Sequence, residues 1–160
     1  MVNTVNEVIT PGQLLDYWQR HRSLTRKVIE AFPEKDLFEY RIGGMRPFSD
    51  MVKELLAIAE PGLREIVTGK QEKFDEHRDY GSQKTLLLAA WDKSTANINT
   101  LWAQLTDIDF QKEMVSFGQF PGTVQSSLFY FIENEIHHRG QAYVYLRSLG
   151  VEPPLFYERN

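Results

Sequence analysis

The sequence predicts an all-α fold, a four-helix bundle with long crossover connections. Three observations predict it. Four segments of roughly 20 residues carry apolar side chains at spacings of three and four. Helix-capping residues bracket most of them. Long connections near residues 69–82 and 106–122 can cross the bundle, so simple up-down-up-down wiring is not assured.

The first helix, 11–32, starts at Thr10-Pro11, an N-cap followed by proline at the first helical position. Leu14, Trp18, His21, Val28 and Phe32 recur at helical spacing, and Pro33 stops it. Glu34 to Gly44 reads as a loop packed by Leu37, Phe38, Tyr40 and Ile42. The second helix, 47–68, has Met51, Leu55, Ile58, Leu63 and Ile66 inward. Pro61 lies inside that pattern and is expected to kink or split it, because proline removes a ladder bond. Gly69 to Gly81 is charged and aperiodic. Ser82 is the candidate N-cap of the third helix, 83–105, which carries Leu87, Trp91, Ile98, Leu101 and Trp102. Met114 to Phe120 alternates enough for a short extended piece. Thr123 caps the fourth helix, 123–149, and Gly150 is its C′ glycine.

Bulk properties narrow the function classes. At 160 residues, 42% hydrophobic and 25% charged, the chain reads as one domain spanning 1–160. The net charge of −4 and the lack of a Lys/Arg cluster argue against nucleic acid as a partner. No apolar run approaches a bilayer span, so no membrane partner is expected. Met1–Glu7 has no basic-then-apolar pattern, so no signal peptide is expected there, and a cytoplasmic location fits. There is no cysteine, which excludes disulfides, thiolate metal sites and a cysteine nucleophile.

Polar residues on core faces carry the chemistry. On the last helix, Val124, Leu128, Phe131, Glu135, His138, Ala142, Tyr145 and Leu149 form one stripe, so His138 points inward. Asn134 lies one turn earlier, about 40° away around the axis. Glu54 sits amid the apolar stripe of the second helix, between Met51 and Ile58. A carboxylate there must face a cation, be protonated, or reach solvent through a pocket. Glu54, Asn134 and His138 suit either a metal site with open positions or a buried hydrogen-bond network with water. His137 points about 100° away from His138, with Glu133 one turn before it, and reads as a solvated face. His21 is an inward histidine that could also reach Glu54. His77 reads as exposed. Arg139 and Arg147 read as salt-bridge partners of neighbouring helices.

Around these residues the sequence resembles the DinB-like (DinB/YfiT-like) family of damage-inducible metalloenzymes, related to bacillithiol and mycothiol S-transferases. The resemblance is strongest in Glu135-Ile136-His137-His138-Arg139-Gly140-Gln141, then Tyr145-Leu146-Arg147, Gly150 and Pro153-Pro154. Met45-Arg46-Pro47-Phe48-Ser49-Asp50 looks like the entry to the family's second helix. The resemblance implies a four-helix bundle, often a homodimer. It also implies a divalent-metal site of three histidines, one from the second helix and two from the fourth. Carried over by position, those ligands fall on Glu54, Asn134 and His138, and only His138 matches. The two replacements can still offer oxygen to a divalent ion such as zinc, nickel or another metal.

Two functions follow as expectations. One is a metal-dependent enzyme of the thiol S-transferase or hydrolase kind, acting on a small molecule or thiol substrate. In it, His137 or Glu135 would assist proton transfer. The other is a dimeric, non-catalytic bundle that has lost the metal and binds a ligand or partner. Of the 20 aromatic residues, Phe38, Tyr40, Phe117, Phe120, Phe156 and Tyr157 fall outside the four core stripes. They are expected to cover the bundle ends, line the site or pack in a two-fold interface.

Overall fold

A computed structural model describes residues 8–105 and 107–160. The expectation about Met1–Glu7 lies outside them, as does Thr106 of the second long connection. Among the described residues there are five helices and a two-stranded hairpin: α1 (Pro11–Ala31), α2 (Glu34–Glu39), α3 (Phe48–Thr68), α4 (Lys84–Trp102), β1 (Glu113–Ser116), β2 (Phe120–Thr123) and α5 (Val124–Ser148). The four long helices are the expected bundle.

The caps are local chemistry. Thr10 and Gln13 close a capping box on α1: Gln13 N donates to Thr10 Oγ1 (3.2 Å) and Thr10 N donates to Gln13 Oε1 (2.9 Å). Thr123 and Ser126 do the same for α5, so Thr123 both ends β2 and caps the helix. Gly150, at φ 74°, completes a Schellman ending, with Val151 N bonded to Leu146 O (2.9 Å) and Gly150 N to Arg147 O (3.0 Å).

Four expectations need correction. The segment after Pro33 is a short helix, because Glu34 and Asp36 suit its N-terminus and buried Leu37 anchors it. Ser82 does not cap α4. Gln83 holds the N-cap position, and Glu34 Oε1 of α2 accepts from Lys84 N at 2.8 Å. Of the two outcomes expected at Pro61, the split does not occur: α3 runs unbroken over Phe48–Thr68. The next residue, Gly62, explains the close packing there: a Cβ on it would collide with the Phe131 ring of α5. Finally, α4 stops at Trp102 because its end tightens, with Gln104 N bonded to Leu101 O and Leu105 N to Trp102 O, each at 3.0 Å.

Helix α1 packs beside α4 and α5, and α3 packs beside the same two. Thus α1 and α3 are diagonal, as are α4 and α5. The crossing connections are therefore 32–47 and 103–123. The stretch 69–83 joins neighbours, contrary to the sequence expectation. The second crossing holds the antiparallel hairpin, paired from Glu113 with Thr123 to Ser116 with Phe120.

Two apolar cores fill the bundle. One gathers Phe32, Phe48, Leu55, Trp91 and Tyr145, and the other gathers Trp18, Leu63, Ile98, Leu128 and Phe131. Between them every long helix contributes polar residues: His21 to Thr25 on α1, Glu54 on α3, Ser94 and Thr95 on α4, and Asn134 to Arg139 on α5. This polar waist holds the candidate site. No helix among the described residues is long and apolar enough to cross a membrane.

Candidate functional site at the waist of the bundle

Glu54, Asn134 and His138 meet. Asn134 Nδ2 donates to Glu54 Oε1 at 3.1 Å, and His138 Nε2 lies 3.2 Å from the same oxygen. His138 Nδ1 donates to Gln141 Oε1 at 2.7 Å, so Gln141 fixes the ring. Glu54 Oε2 is held by the guanidinium of Arg46, which the sequence reading noted only as part of the loop entering α3. Its main chain is fixed by Tyr145, whose hydroxyl donates to Arg46 O at 2.8 Å, while its side chain stays 41% exposed. The hydrogen bond from His138, with help from Arg46 and Asn134, draws the Glu54 carboxyl down to about 2 despite partial burial.

The opposite side of the waist is different. Glu135 Oε1 accepts from Thr25 Oγ1 at 2.6 Å, and Glu135 Oε2 lies 3.8 Å from Arg22 Nη1, beyond hydrogen-bond reach. Arg139 donates to His21 O, Thr25 Oγ1 and His21 Nδ1 at 3.2, 3.0 and 2.7 Å. Arg22 is 0% exposed, lies 3.9 Å over the Trp91 ring and donates to Thr95 Oγ1 at 2.7 Å. Burial pushes the Glu135 carboxyl up and the Arg22 and Arg139 guanidiniums down. His21 therefore binds Arg139 and does not reach Glu54. Glu135 is enclosed against α1, away from the Glu54 cluster, which removes it as a proton-transfer group there. His137 and His77 are exposed, as expected.

A cavity of about 540 Å³ opens beside Glu54. Its walls are Phe74, Phe117, Phe120, Tyr130 and Phe131, with Ile58 and the hydroxyls of Ser116, Ser126 and Ser127. Phe117 reaches it through a left-handed backbone, φ 55°, a conformation costing a non-glycine residue on the order of 1 kcal/mol. Glu65 holds it there: its buried Oε2 accepts from Phe117 N at 3.0 Å and from Glu72 N at 3.4 Å. Glu65 was missed from sequence. The signal was its place one helical step from Gly62 on the inner face of α3. Of the six aromatics set aside, Phe38 and Tyr40 pack on a core, Phe117 is buried in the cavity wall, and Phe120, Phe156 and Tyr157 are exposed.

The donor set does not fit a three-histidine metal centre. His138 Nε2 is engaged with Glu54 Oε1 and would have to give up that contact to ligate a metal. Both Glu54 oxygens are engaged, one by a guanidinium, so the carboxylate charge is already compensated and a divalent cation would face Arg46. Among the described residues, no group of three or more His, Cys, Asp or Glu is placed to hold a metal ion.

The likeness to known proteins runs the length of the chain. The DinB family profile matches residues 1–160. The uncharacterized protein YjoA of Bacillus subtilis (strain 168) is 24% identical over 152 residues, covering 93% of this chain and 97% of YjoA. The crystal structure of a DinB-like protein from Bacillus cereus ATCC 10987 superposes with a TM-score of 0.73 at 21% identity, covering 91% of this chain and 97% of that one. That of YjoA from B. subtilis, also described as DinB-like, gives 0.71 at 22% identity, covering 92% and 99%. With a family match over its whole length and this fold, the chain belongs to the DinB family.

Proposed function

We propose that this DinB-family protein is a small-molecule-binding bundle. In it, an arginine–glutamate–histidine cluster stands where the metal centre implied by the resemblance would be. One observation carries the reading: the aromatic-walled cavity ends on Glu54, the carboxylate that Arg46, Asn134 and His138 already satisfy. Its volume suits a drug-sized molecule, and a mainly apolar wall with a few convergent polar groups is the usual make-up of such sites. The apolar body of the ligand lies against Phe74, Phe117 and Phe131, and its polar end faces Glu54 and the serine hydroxyls.

Heteronuclear NMR titration with small aromatic molecules tests this. Backbone amides of Phe74, Phe117, Tyr130 and Phe131 are expected to shift together. Shifts centred away from the cavity, or none at all, would overturn it.

The metal-dependent thiol-transferase or hydrolase reading draws on the convergence of Glu54, Asn134 and His138 around one oxygen. It requires Arg46 to leave and Asn134 to turn its oxygen inward. We also propose a homodimer. Exposed Ile136 and Val144 on α5 leave apolar surface that a two-fold partner would cover. Sedimentation equilibrium should give twice the 18.7 kDa chain mass, and a single species at 18.7 kDa would rule the dimer out.

A further inference from the structure

We propose that the cavity takes an organic cation with an aromatic or apolar body, and that Arg46 is a tethered stand-in for that cation. This rests on the ligand-binding reading above and names its substrate class.

The walls carry the inference. Among the described residues, the charged side chains lining the cavity are two carboxylates, Glu54 and Glu76, with no Lys, Arg or His. Five of the other ten lining residues are aromatic, and aromatic faces attract cations through their quadrupole. An anionic ligand would meet two carboxylates. A neutral ligand would fill the apolar part and gain nothing from them. An ammonium or guanidinium group satisfies both carboxylates and rings.

Arg46 already satisfies the carboxylates from outside. Its guanidinium contacts Glu54 Oε2 and lies 3.6 Å from Glu76 Oε2, bridging the pair. The main chain of Arg46 is pinned by Tyr145, and its side chain is half in solvent. The guanidinium can therefore swing out without moving the backbone, and a ligand cation can take its place. Tyr130 stands beside this point. Burial, with the charge of Glu54, pushes its phenol up, so it stays neutral and presents a ring and a hydroxyl to the incoming group.

The sign of the Arg46 effect separates this from its opposite. If Arg46 is a stand-in, removing it strengthens cation binding. If Arg46 is itself a ligand-binding residue for an anion, removing it abolishes binding. Isothermal titration calorimetry at neutral pH with tryptamine, tryptophol and indole-3-acetate presents one indole body with an ammonium, a hydroxyl or a carboxylate. Tryptamine is expected to bind at least about tenfold more tightly than the other two. Arg46→Ala should tighten tryptamine binding severalfold. Glu76→Gln, in a loop and outside the bundle core, should weaken it by a similar factor while leaving tryptophol unchanged. Equal binding of tryptamine and tryptophol would overturn the cation assignment and leave the ligand-binding reading standing. Indole-3-acetate binding best, with loss in Arg46→Ala, would also overturn it. No binding by any of the three, together with no NMR shifts at the cavity, would sink both.

Discussion

Helix α5 feeds two polar clusters from adjacent positions, and they have opposite fates. Asn134 and His138, one turn apart, face Glu54 of α3. Glu135 and Arg139, also one turn apart and rotated by about 100°, face His21, Arg22 and Thr25 of α1. The α1 cluster is sealed: Arg22 is 0% and Glu135 1% exposed. The α3 cluster opens: Glu54 lines a cavity, and its partner Arg46 reaches solvent. A charge that can exchange partners is available for chemistry. A charge enclosed with its partner is committed to the fold. The same four-residue spacing on one helix therefore yields one sealed and one open cluster, and what packs over each decides which.

The largest effect should come from breaking the sealed cluster. Glu135→Gln removes the carboxylate that lies between the two enclosed guanidiniums of Arg22 and Arg139. Removing one partner of a buried ion pair costs about 3–5 kcal/mol. Glu54→Gln should cost about 1 kcal/mol, because Arg46 can turn to water and the amide still accepts a hydrogen bond. Urea unfolding of both variants measures the gap. Equal losses would show that the two clusters are not distinguished by enclosure.

A second test rebuilds the open cluster. Glu54→His with Asn134→His places three imidazoles where the resemblance puts the family's ligands. The wild-type chain is expected to bind zinc or nickel weakly. The double variant should bind at least about a hundredfold more tightly, since imidazole is the better ligand for both ions. Elemental analysis of untagged protein and calorimetry check this. Stoichiometric metal in the purified wild type would instead favour the metal-dependent reading.

The two clusters were not equally legible in the sequence. Glu54, Asn134 and His138 were readable because each interrupts or adjoins an apolar stripe. Their junction with Arg46 was not, because that side chain comes from a loop whose path depends on Tyr145 and the ends of α3 and α5. The sealed cluster was half readable. Glu135 lies on the α5 stripe, but Arg22 went unnamed although Trp18, Arg22, Thr25 and Ile29 follow helical spacing. A long arginine on such a stripe ordinarily carries its charge out to water. Only the packed bundle shows that Trp91 and Thr95 of α4 close that exit. The bundle itself was legible from periodicity and caps. Its diagonal wiring was not, because connection length alone does not say which helices are neighbours. The cavity depends on Phe117 in a left-handed conformation, held by a carboxylate 52 residues away in sequence, and no local pattern encodes that.

The smallest effect concerns the edge of the sealed cluster, where the C-terminal tail lies over His21. Burial, then Arg139 and Arg159, push the His21 imidazole from 6.5 down to about 4. The neutral form is thus the one the fold prefers. Stability from this group is fully present above pH 6.5 and is lost as pH falls toward 4. A neutral imidazole offers one acceptor, and Arg139 occupies it at Nδ1, so Arg159 Nη1, 3.0 Å from Nε2, faces an N–H. Arg159 therefore contributes repulsion to a charged His21 and little attraction to a neutral one. Other charged or titratable groups facing this spot are Glu135 from α5 and Tyr17 from α1, which packs edge-on against the ring. Arg159→Ala should leave neutral-pH stability within about 1 kcal/mol of wild type, because the half-buried guanidinium makes no attractive bond to a neutral His21. It should move the His21 titration, followed by its ring proton in NMR, back toward 6.5 by only part of the displacement, because burial and Arg139 remain. The onset of the acid loss, set by the unfolded value, should stay where it is, and the total loss should be smaller, because a His21 that protonates more readily penalises the fold less. An unchanged titration would mean that solvent already screens Arg159 and that the sealed cluster ends at Arg139. A shift to lower pH would mean that the tail admits water to His21, and that its cover rather than its charge governs this edge.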